Sequence, residues 1–228
     1  MSSENPGLSA NQAERGILIV VSAPSGAGKT TLINGLRSVY PEIELSVSCT
    51  TRALRHGEVD GRDYRFVTPR QFDAMTAKGK FAEWAKVHNY LYGTPRGPLD
   101  RCVHRGRDIL LDIDVQGARK IKRLYREAVA IFLLPPSLRE LARRLARRGT
   151  EGRDTMRRRL ANARGEIRRV IEYDYCVINR DVQEAVAALR SIVEAERSRT
   201  SRVSRWRIER LRAPRARVSH DQKTQRSG

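Results

Sequence analysis

The 228-residue sequence has few cysteines and no long apolar run, and these shortages exclude several classes of protein. Its three cysteines, at positions 49, 102 and 176, are odd in number and widely spaced, which argues against a disulfide framework or a zinc site. No stretch approaches the roughly 18 consecutive apolar residues of a membrane-spanning helix. Residues 1–15 are polar and lack the apolar core of a secretory signal, so we interpret them as a disordered leader. We therefore expect a reducing, cytoplasmic location and no membrane partner.

Acidic residues are scarce beside basic ones, 26 against 45, which gives a formal net charge of +19. Such a chain attracts polyanions, including nucleotides, nucleic acid and acidic lipid. Much of the excess lies in residues 139–169 and in residues 197–228, where ten Arg and one Lys accompany two acidic residues. We interpret residues 197–228 as a flexible basic tail. Its single tryptophan predicts no specific nucleic-acid binding, although nonspecific contact with polyanions is compatible with its charge.

Short apolar runs rich in β-branched residues alternate with amphipathic helical patterns. The runs lie at residues 17–21, 108–114, 129–134 and 175–179. Such alternation predicts an α/β fold with a doubly wound parallel sheet. Two stretches interrupt it. Residues 44–99 are too long for a simple crossover and predict a small α+β subdomain, whereas residues 137–169 are helical and rich in arginine.

The stretch SAPSGAGKTT, residues 22–31, has the form of a Walker A phosphate-binding loop, with Ala23 in place of the first glycine. Gly26 and Gly28 let backbone N–H groups converge on phosphate oxygens, Lys29 reaches the β- and γ-phosphates, and Thr30 holds Mg²⁺. The alternative is an ordinary glycine-rich turn, but strand, loop and amphipathic helix occur in the required order. We therefore assign a nucleoside triphosphate to the loop residues Ala23, Pro24, Ser25, Gly26, Ala27, Gly28, Lys29, Thr30 and Thr31.

A second anion site is suggested by the stretch SCTTRALRHGEVDGRDY, residues 48–64. It places Arg52, Arg55 and Tyr64 around a glycine-containing turn. Two guanidinium groups and a phenol suit a phosphate monoester dianion. Solvated loop charges explain these residues equally well when the stretch is considered alone.

The sequence resembles the guanylate kinase family over roughly residues 16–196. Six stretches carry the resemblance in the family's order: SAPSGAGKTT, SVSCTTRALRHGEVDGRDYRFV, FAEWAKVHNYLYGTP, ILLDIDVQGARKIK, FLLPPSLRELARRLARRGTE and YDYCVIN. The resemblance implies a P-loop NTPase-type core, a GMP-binding insertion at about 44–99 and a helical lid at about 137–169. The implied activity is transfer of the γ-phosphoryl group of ATP to GMP, giving ADP and GDP, in purine nucleotide metabolism.

The resemblance also assigns the acceptor site. Arg52, Arg55, Tyr64 and Tyr92 would hold the GMP phosphate, and Ser48, Glu83 and Thr94 would read guanine. The chemistry agrees, because guanine offers N1–H and N2–H donors to the Glu83 carboxylate, whereas adenine has a lone pair at N1. The Ser48 hydroxyl donates to O6, where adenine carries an amine. From its spacing alone, however, Glu83 is better explained as a surface residue of a helix.

Two carboxylates, Asp112 and Asp114, end an apolar strand, and the carboxyl edge of a parallel sheet faces the ligand crevice. One is expected to contact hydrated Mg²⁺ and the other the guanine side, and the sequence leaves this division open. We assign Asp112 to the metal and Asp114 to GMP. Asp114 has the alternative role of capping the following helix.

The lid pattern singles out Arg144, Arg148 and Arg159, which by resemblance neutralise charge as the phosphoryl group moves. With Lys29 and Arg52 they form the expected catalytic set. Asn179 matches a family position near adenine. No general base is expected, because the second pKa of a phosphate monoester is about 6 and the acceptor is already ionised.

Two other functions share parts of this pattern. A P-loop kinase acting on a phosphorylated sugar would not need the guanine readers at positions 48, 83 and 94. A non-catalytic scaffold that holds phosphopeptides would tolerate a decayed Walker loop, whereas Lys29 and Thr30 are intact. The oligomeric state is left open by the sequence.

Overall fold

The structure, a computed structural model, describes residues 15–87, 89–147 and 153–202. The predicted leader up to residue 14 and the predicted tail from residue 203 lie outside the described residues. The strands are β1 (Leu18–Ser22), β2 (Glu44–Leu45), β3 (Cys49–Thr50), β4 (Arg65–Phe66), β5 (Phe81–Val87), β6 (Tyr90–Pro95), β7 (Ile109–Asp112), β8 (Val129–Leu134) and β9 (Tyr175–Ile178). The helices are α1 (Lys29–Val39), α2 (Pro69–Ala77), α3 (Arg96–His104), α4 (Val115–Leu124), α5 (Leu138–Arg147), α6 (Arg153–Ile167) and α7 (Val182–Arg197), with a 3₁₀ segment at Arg168–Glu172.

The larger sheet has the order β2-β7-β1-β8-β9, and every neighbouring pair is parallel. Strand β1 is buried on both faces, and its residues alternate between two cores. Ile19 and Val21 face α1 and α7, whereas Leu18 and Val20 face α3 and α4. This burial explains why the central strands are continuous apolar runs, and the predicted doubly wound sheet is confirmed.

The inserted segment builds a second sheet with the order β4-β3-β6-β5. It begins at Cys49, because Glu44 and Leu45 pair with β7 in the larger sheet. The β5–β6 hairpin is antiparallel and was not resolved as strands by the sequence pattern. Helix α2 begins with a Thr68–Gln71 capping box and covers one face through the buried Phe72.

The predicted lid consists of α5 and α6, which pack through Leu141, Leu145 and Ala163. The packing reaches the Walker loop. A Cβ on Gly26 would lie only 2.9 Å from Leu145 Cδ2, so the loop and the lid helix are in direct contact.

The first residues of the predicted tail, up to Arg202, make defined contacts with the rest of the fold. Arg197 closes α7, donates to Asp108 at 2.8 Å and lies over the ring of Tyr40. Arg202 donates to the carboxylate of Glu196 at 3.3 Å and to the Glu127 carbonyl at 3.0 Å. Glu196 is only 2% exposed, and besides Arg202 it accepts from Tyr175 Oη at 2.7 Å and pairs with Arg199 at 3.4 Å.

Within residues 15–87, 89–147 and 153–202, no helix combines the length and the apolar character needed to cross a bilayer.

Replacing Arg202 by methionine should lower the free energy of unfolding by about 2 kcal/mol, because a buried carboxylate loses a charged partner. The matched control is Arg199→Met, since Arg199 pairs with the same Glu196 oxygen but is 61% exposed, against 10% for Arg202. The control should change the unfolding free energy by no more than about 0.5 kcal/mol. Urea denaturation of both variants measures the difference, and equal losses would contradict the assigned role of Arg202.

Candidate active site

The Walker-type loop joins the end of β1 to the first residue of α1. Gly28, the N-cap of α1, has a φ of 94°, and a Cβ there would lie 2.6 Å from Asn179 Nδ2. Both facts require glycine at this position. The capping residue supplies no side-chain hydrogen bond to this helix. The first N–H groups of α1 are therefore available to an anion, as at other phosphate-binding helix ends.

Lys29 lies at the carboxyl edge of the larger sheet. Its Nζ is 2.5 Å from the carboxylate of Asp112 and donates to the Ile113 carbonyl at 3.1 Å. Thr30 and Thr31 are exposed on the first turn of α1. The loop, the lysine, a hydroxyl and a carboxylate thus meet where a doubly wound sheet binds its ligands.

Asn179 follows β9 and borders the same loop. It is 3% exposed, and its Nδ2 donates to the Ala27 carbonyl at 2.7 Å. Its Oδ1 is buried without a hydrogen-bond partner among the described residues. An unsatisfied buried acceptor costs about 1–3 kcal/mol, so it marks a place where a ligand donor can bind.

Arg144 of α5 reaches across to this corner. Its Nη1 and Nη2 lie 3.3 Å and 3.2 Å from the carbonyl oxygens of Ala27 and Asn179, and its Nε donates to Glu140 at 2.8 Å. One guanidinium therefore joins the lid, the phosphate loop and the end of β9.

Strand pairing in the smaller sheet places Glu83 opposite Thr94, and Ala85 opposite Tyr92. Glu83 is 7% exposed and accepts a 2.6 Å hydrogen bond from Thr94 Oγ1. Burial raises the pKa of Glu83, with a smaller contribution from Asp114 in the same direction. The structure therefore excludes the surface-helix alternative for Glu83.

The carboxylate of Glu83 lies over the first turn of α4. A Cβ on Gly117 would lie 3.0 Å from Glu83 Oε2, so the absence of a side chain at 117 permits this approach. Asp114 caps the helix by accepting from the Gly117 N–H at 2.8 Å. The alternative role that the sequence left open for Asp114 is thus observed. Asp114 also faces the cavity described below.

Arg52 belongs to a cluster behind the acceptor side of the cleft. It is 7% exposed, and its Cζ lies 5.4 Å from the ring centroid of Tyr64 and 5.7 Å from that of Phe66. The rings of Tyr64 and Tyr92 meet edge to face at 5.9 Å. Arg52 makes a two-bond ion pair with Glu58, with Nη1–Oε2 and Nη2–Oε1 distances of 3.0 Å and 2.7 Å.

One cavity of about 450 Å³ unites the two halves of the site. The predicted residues that line it are Ser25, Lys29, Ser48, Tyr64, Glu83, Tyr92, Asp112 and Asp114. Three further lining residues, Ala85, Val87 and Ile113, give it an apolar wall. The cavity is therefore open both to the Walker lysine and to the buried carboxylate on the hairpin.

Other predicted residues lie around this cavity or apart from it. Thr94 is fully buried behind Glu83 and orients its carboxylate, and Arg55 is exposed. Arg159 is half-buried on α6, whereas Arg148 lies outside the described residues.

Comparison with known proteins decides the family. The family model described as guanylate kinase matches residues 15–196. The chain belongs to the guanylate kinase family. The guanylate kinase of Syntrophotalea carbinolica is 51% identical over 188 residues, covering 82% of this chain and 90% of the relative. That of Symbiobacterium thermophilum is 46% identical over 197 residues, covering 86% and 93%.

A solved structure agrees with these relatives. The crystal structure of guanylate kinase from Anaplasma phagocytophilum is 35% identical, covers 89% of this chain and 98% of that chain, and superposes with a TM-score of 0.72. The predicted family and the predicted P-loop α/β fold are therefore confirmed.

Sequence reasoning missed Glu58 and the apolar wall beside Glu83. A signal for Glu58 existed, because it is the first acidic residue after the two arginines of a glycine-containing turn. The signal for the wall was the period of two in residues 83, 85 and 87, which places Ala85 and Val87 on the strand face of Glu83.

The raised pKa of Glu83 gives a pH prediction for guanosine binding. A protonated carboxyl group cannot accept from both N1–H and N2–H, so affinity should fall as the pH drops through the pKa. Because that pKa is raised, the fall should begin above the usual Glu value of about 4.3. Isothermal calorimetry with guanosine measures the effect without a titrating phosphate. Glu83→Gln should bind weakly at every pH, and an unchanged pH profile in that variant would exclude Glu83 as the titrating group.

Proposed function

We propose that this protein transfers the γ-phosphoryl group of ATP to GMP, giving ADP and GDP in purine nucleotide metabolism. The observation that carries the proposal is that Lys29 of the Walker loop and the buried Glu83 line the same cavity. The first suits a triphosphate, and the second suits the Watson–Crick edge of guanine. Membership of the guanylate kinase family supports the same activity.

Base selectivity follows from hydrogen-bond polarity. The Glu83 carboxylate accepts from guanine N1–H and N2–H, and the Ser48 hydroxyl donates to O6. Adenine would direct a lone pair at the carboxylate and leave it unsatisfied, which is a strong form of rejection. Asp114 lines the guanine side of the same cavity. These groups have no use in a kinase for a phosphorylated sugar.

The acceptor phosphate binds between Arg52, Arg55, Tyr64 and Tyr92 in this proposal. The two tyrosines line the cavity directly, and Arg52 lies behind Tyr64 with its charge already desolvated. Desolvated guanidinium groups bind phosphate more strongly than solvated ones. The exposed Arg55 would complete this phosphate site.

The donor site would hold MgATP. Thr30 and Asp112 are hard oxygen donors next to the Walker loop, and no larger cluster of acidic, His or Cys ligands occurs among the described residues. This set fits Mg²⁺, which is commonly held by one or two carboxylates together with substrate phosphates. When bound between these residues and the substrate, Mg²⁺ would supply positive charge beside the β- and γ-phosphates. Asn179 Oδ1 is the buried acceptor available to the adenine amine.

The chain's own contribution to catalysis is to position two anions and supply positive charge. The GMP phosphate is already ionised at neutral pH, so no group has to remove a proton. Lys29, Arg52 and the lid residues Arg144, Arg148 and Arg159 stabilise the charge on the transferring group. Leu145 of the lid helix α5 packs on Gly26, so the lid and the phosphate loop are held together.

The proposal includes a cytoplasmic location, supported by three cysteines that are all unpaired.

Acceptor selectivity and the role of Lys29 are tested together by a coupled assay of ADP formation. The wild type should form ADP rapidly with GMP and at least about 1,000-fold more slowly with AMP or without acceptor. Lys29→Ala should lose about 100-fold or more in kcat, because the lysine stabilises transition-state charge. Wild-type activity in this variant would refute the Walker assignment, and equal rates with AMP would refute the acceptor.

Two neighbouring lid arginines provide a second test. Arg143 and Arg144 both pair with Glu140, but Arg143 is 63% exposed, whereas Arg144 is 24% exposed and reaches the Walker loop. Arg144→Met should lower kcat by about 100-fold, and Arg143→Met should stay within about twofold of the wild type. Similar losses in both variants would show that only general lid charge matters.

A further inference from the structure

We propose that Glu58 is a positioning residue of the acceptor site, which fixes the guanidinium of Arg52 so that one edge faces the GMP phosphate. The inference rests on the proposed function, because it explains how the same site orients its acceptor. Glu58 itself does not touch the substrate in this arrangement.

The pattern of hydrogen bonds on Arg52 is the first support. Glu58 accepts one N–H from each terminal nitrogen, and the Ala53 carbonyl accepts a further Nη1–H at 2.7 Å. These three bonds occupy the end of the guanidinium. The Nε–H and the second Nη2–H form the other edge, and this pair has the spacing of two phosphate oxygens.

The burial of the pair is the second support. Arg52 is 7% exposed and stacked against the rings of Tyr64 and Phe66, so its guanidinium has little freedom to turn. Glu58 is held in turn by the backbone N–H of Arg55 at 2.9 Å. Hydrogen bonds from Arg52 and from the Arg55 backbone lower the pKa of Glu58, which keeps it ionised at neutral pH. One carboxylate thus accepts hydrogen bonds from both arginines of the acceptor site.

The position of Glu58 decides whether it holds Arg52 in place or competes with the GMP phosphate for the same N–H groups. Tyr64 and Tyr92 line the cavity, whereas Glu58 is absent from the lining within the described residues. Arg52 meets the cavity through Tyr92, which lines it and is hydrogen-bonded to the same guanidinium, whereas Glu58 takes the Nη1–Nη2 end. A carboxylate in the place of the phosphate would have to leave before GMP bound, and its removal would tighten binding. Removal of an anchor weakens binding.

The test is Glu58→Gln, which keeps the size of the side chain but removes its charge and one of the two acceptor oxygens. The KM for GMP should rise by about 10- to 100-fold, the size of loss seen at metal sites when the outer-shell partner of a ligand is removed. The KM for ATP and the Kd for guanosine, which lacks the phosphate, should stay within twofold of the wild type. Glu58→Asp, which keeps the charge with a shorter reach, should give an intermediate KM for GMP.

Asp63→Asn is the matched control. Asp63 lies in the same turn and accepts from the Val59 N–H at 2.8 Å and from Arg62 at 2.9 Å, so its loss also removes one backbone and one ionic contact. Among the described residues its side chain has no hydrogen bond or ion pair with Arg52 or with a residue that lines the cavity, so the KM of Asp63→Asn for GMP should match the wild type. In an Arg52→Lys background, Glu58→Gln should not raise the KM for GMP any further. The lysine ammonium has no planar guanidinium edge for Glu58 to orient.

The results that would overturn this inference differ from those that would overturn the proposed function. Tighter or unchanged GMP binding in Glu58→Gln overturns the anchor role, as does an equal loss of guanosine binding, which would indicate collapse of the turn. Additive effects in the double variant also overturn it. Failure of the proposed function appears elsewhere, in a wild type that forms no ADP with GMP, and in that case both proposals fall.

Discussion

The geometry of the whole site depends on how the β5–β6 hairpin docks against the first turn of α4. Lys120 of α4 donates to the Trp84 carbonyl and lies 5.5 Å from the centroid of the Trp84 ring, while Gly117 leaves room for the carboxylate of Glu83. Because α4 starts directly after a strand of the larger sheet, this contact sets the distance between Glu83 and Lys29. Burial disfavours the charge on Glu83, whereas the nearby helix N-terminus and Lys120 favour it.

A second constraint is that the cationic groups of the site must be compatible with a folded chain before any phosphate arrives. Lys29, Arg52 and Arg144 are each held by oxygen acceptors of the protein itself: a carboxylate ending β7, a carboxylate in the turn after β3, and a carboxylate plus two backbone carbonyls. These acceptors limit repulsion among the cations and hold them in place. Charge that is already oriented needs no reorganisation when substrate binds, which is the main source of electrostatic catalysis.

The sequence predicted the larger sheet and the Walker loop well, because both depend on local signals. Continuous apolar runs identify buried parallel strands, and the Gly-Lys-Thr order identifies the loop. The hairpin was harder to predict, since Glu83 is a charged residue on the buried face of its strand, and its burial comes from α4, 34 residues away at Gly117. The Arg52–Glu58 ion pair was not predicted, because the sequence of a turn does not indicate which of its side chains pair with each other. The contact of Arg202 with the Glu127 carbonyl was not predicted, because the two residues lie 75 positions apart in the chain.

The two ends of the described chain lie together, at the opposite side of the larger sheet from the cleft. Arg15 and Arg202 border one small cavity beside Ala128, which directly precedes β8, whereas the Walker loop and Asp112 follow the strands at their far ends. Immobilisation or fusion through either end of the described chain would therefore leave the substrate entrance facing solvent. The same arrangement would let a fluorescent reporter attached near Arg202 stay remote from the nucleotides.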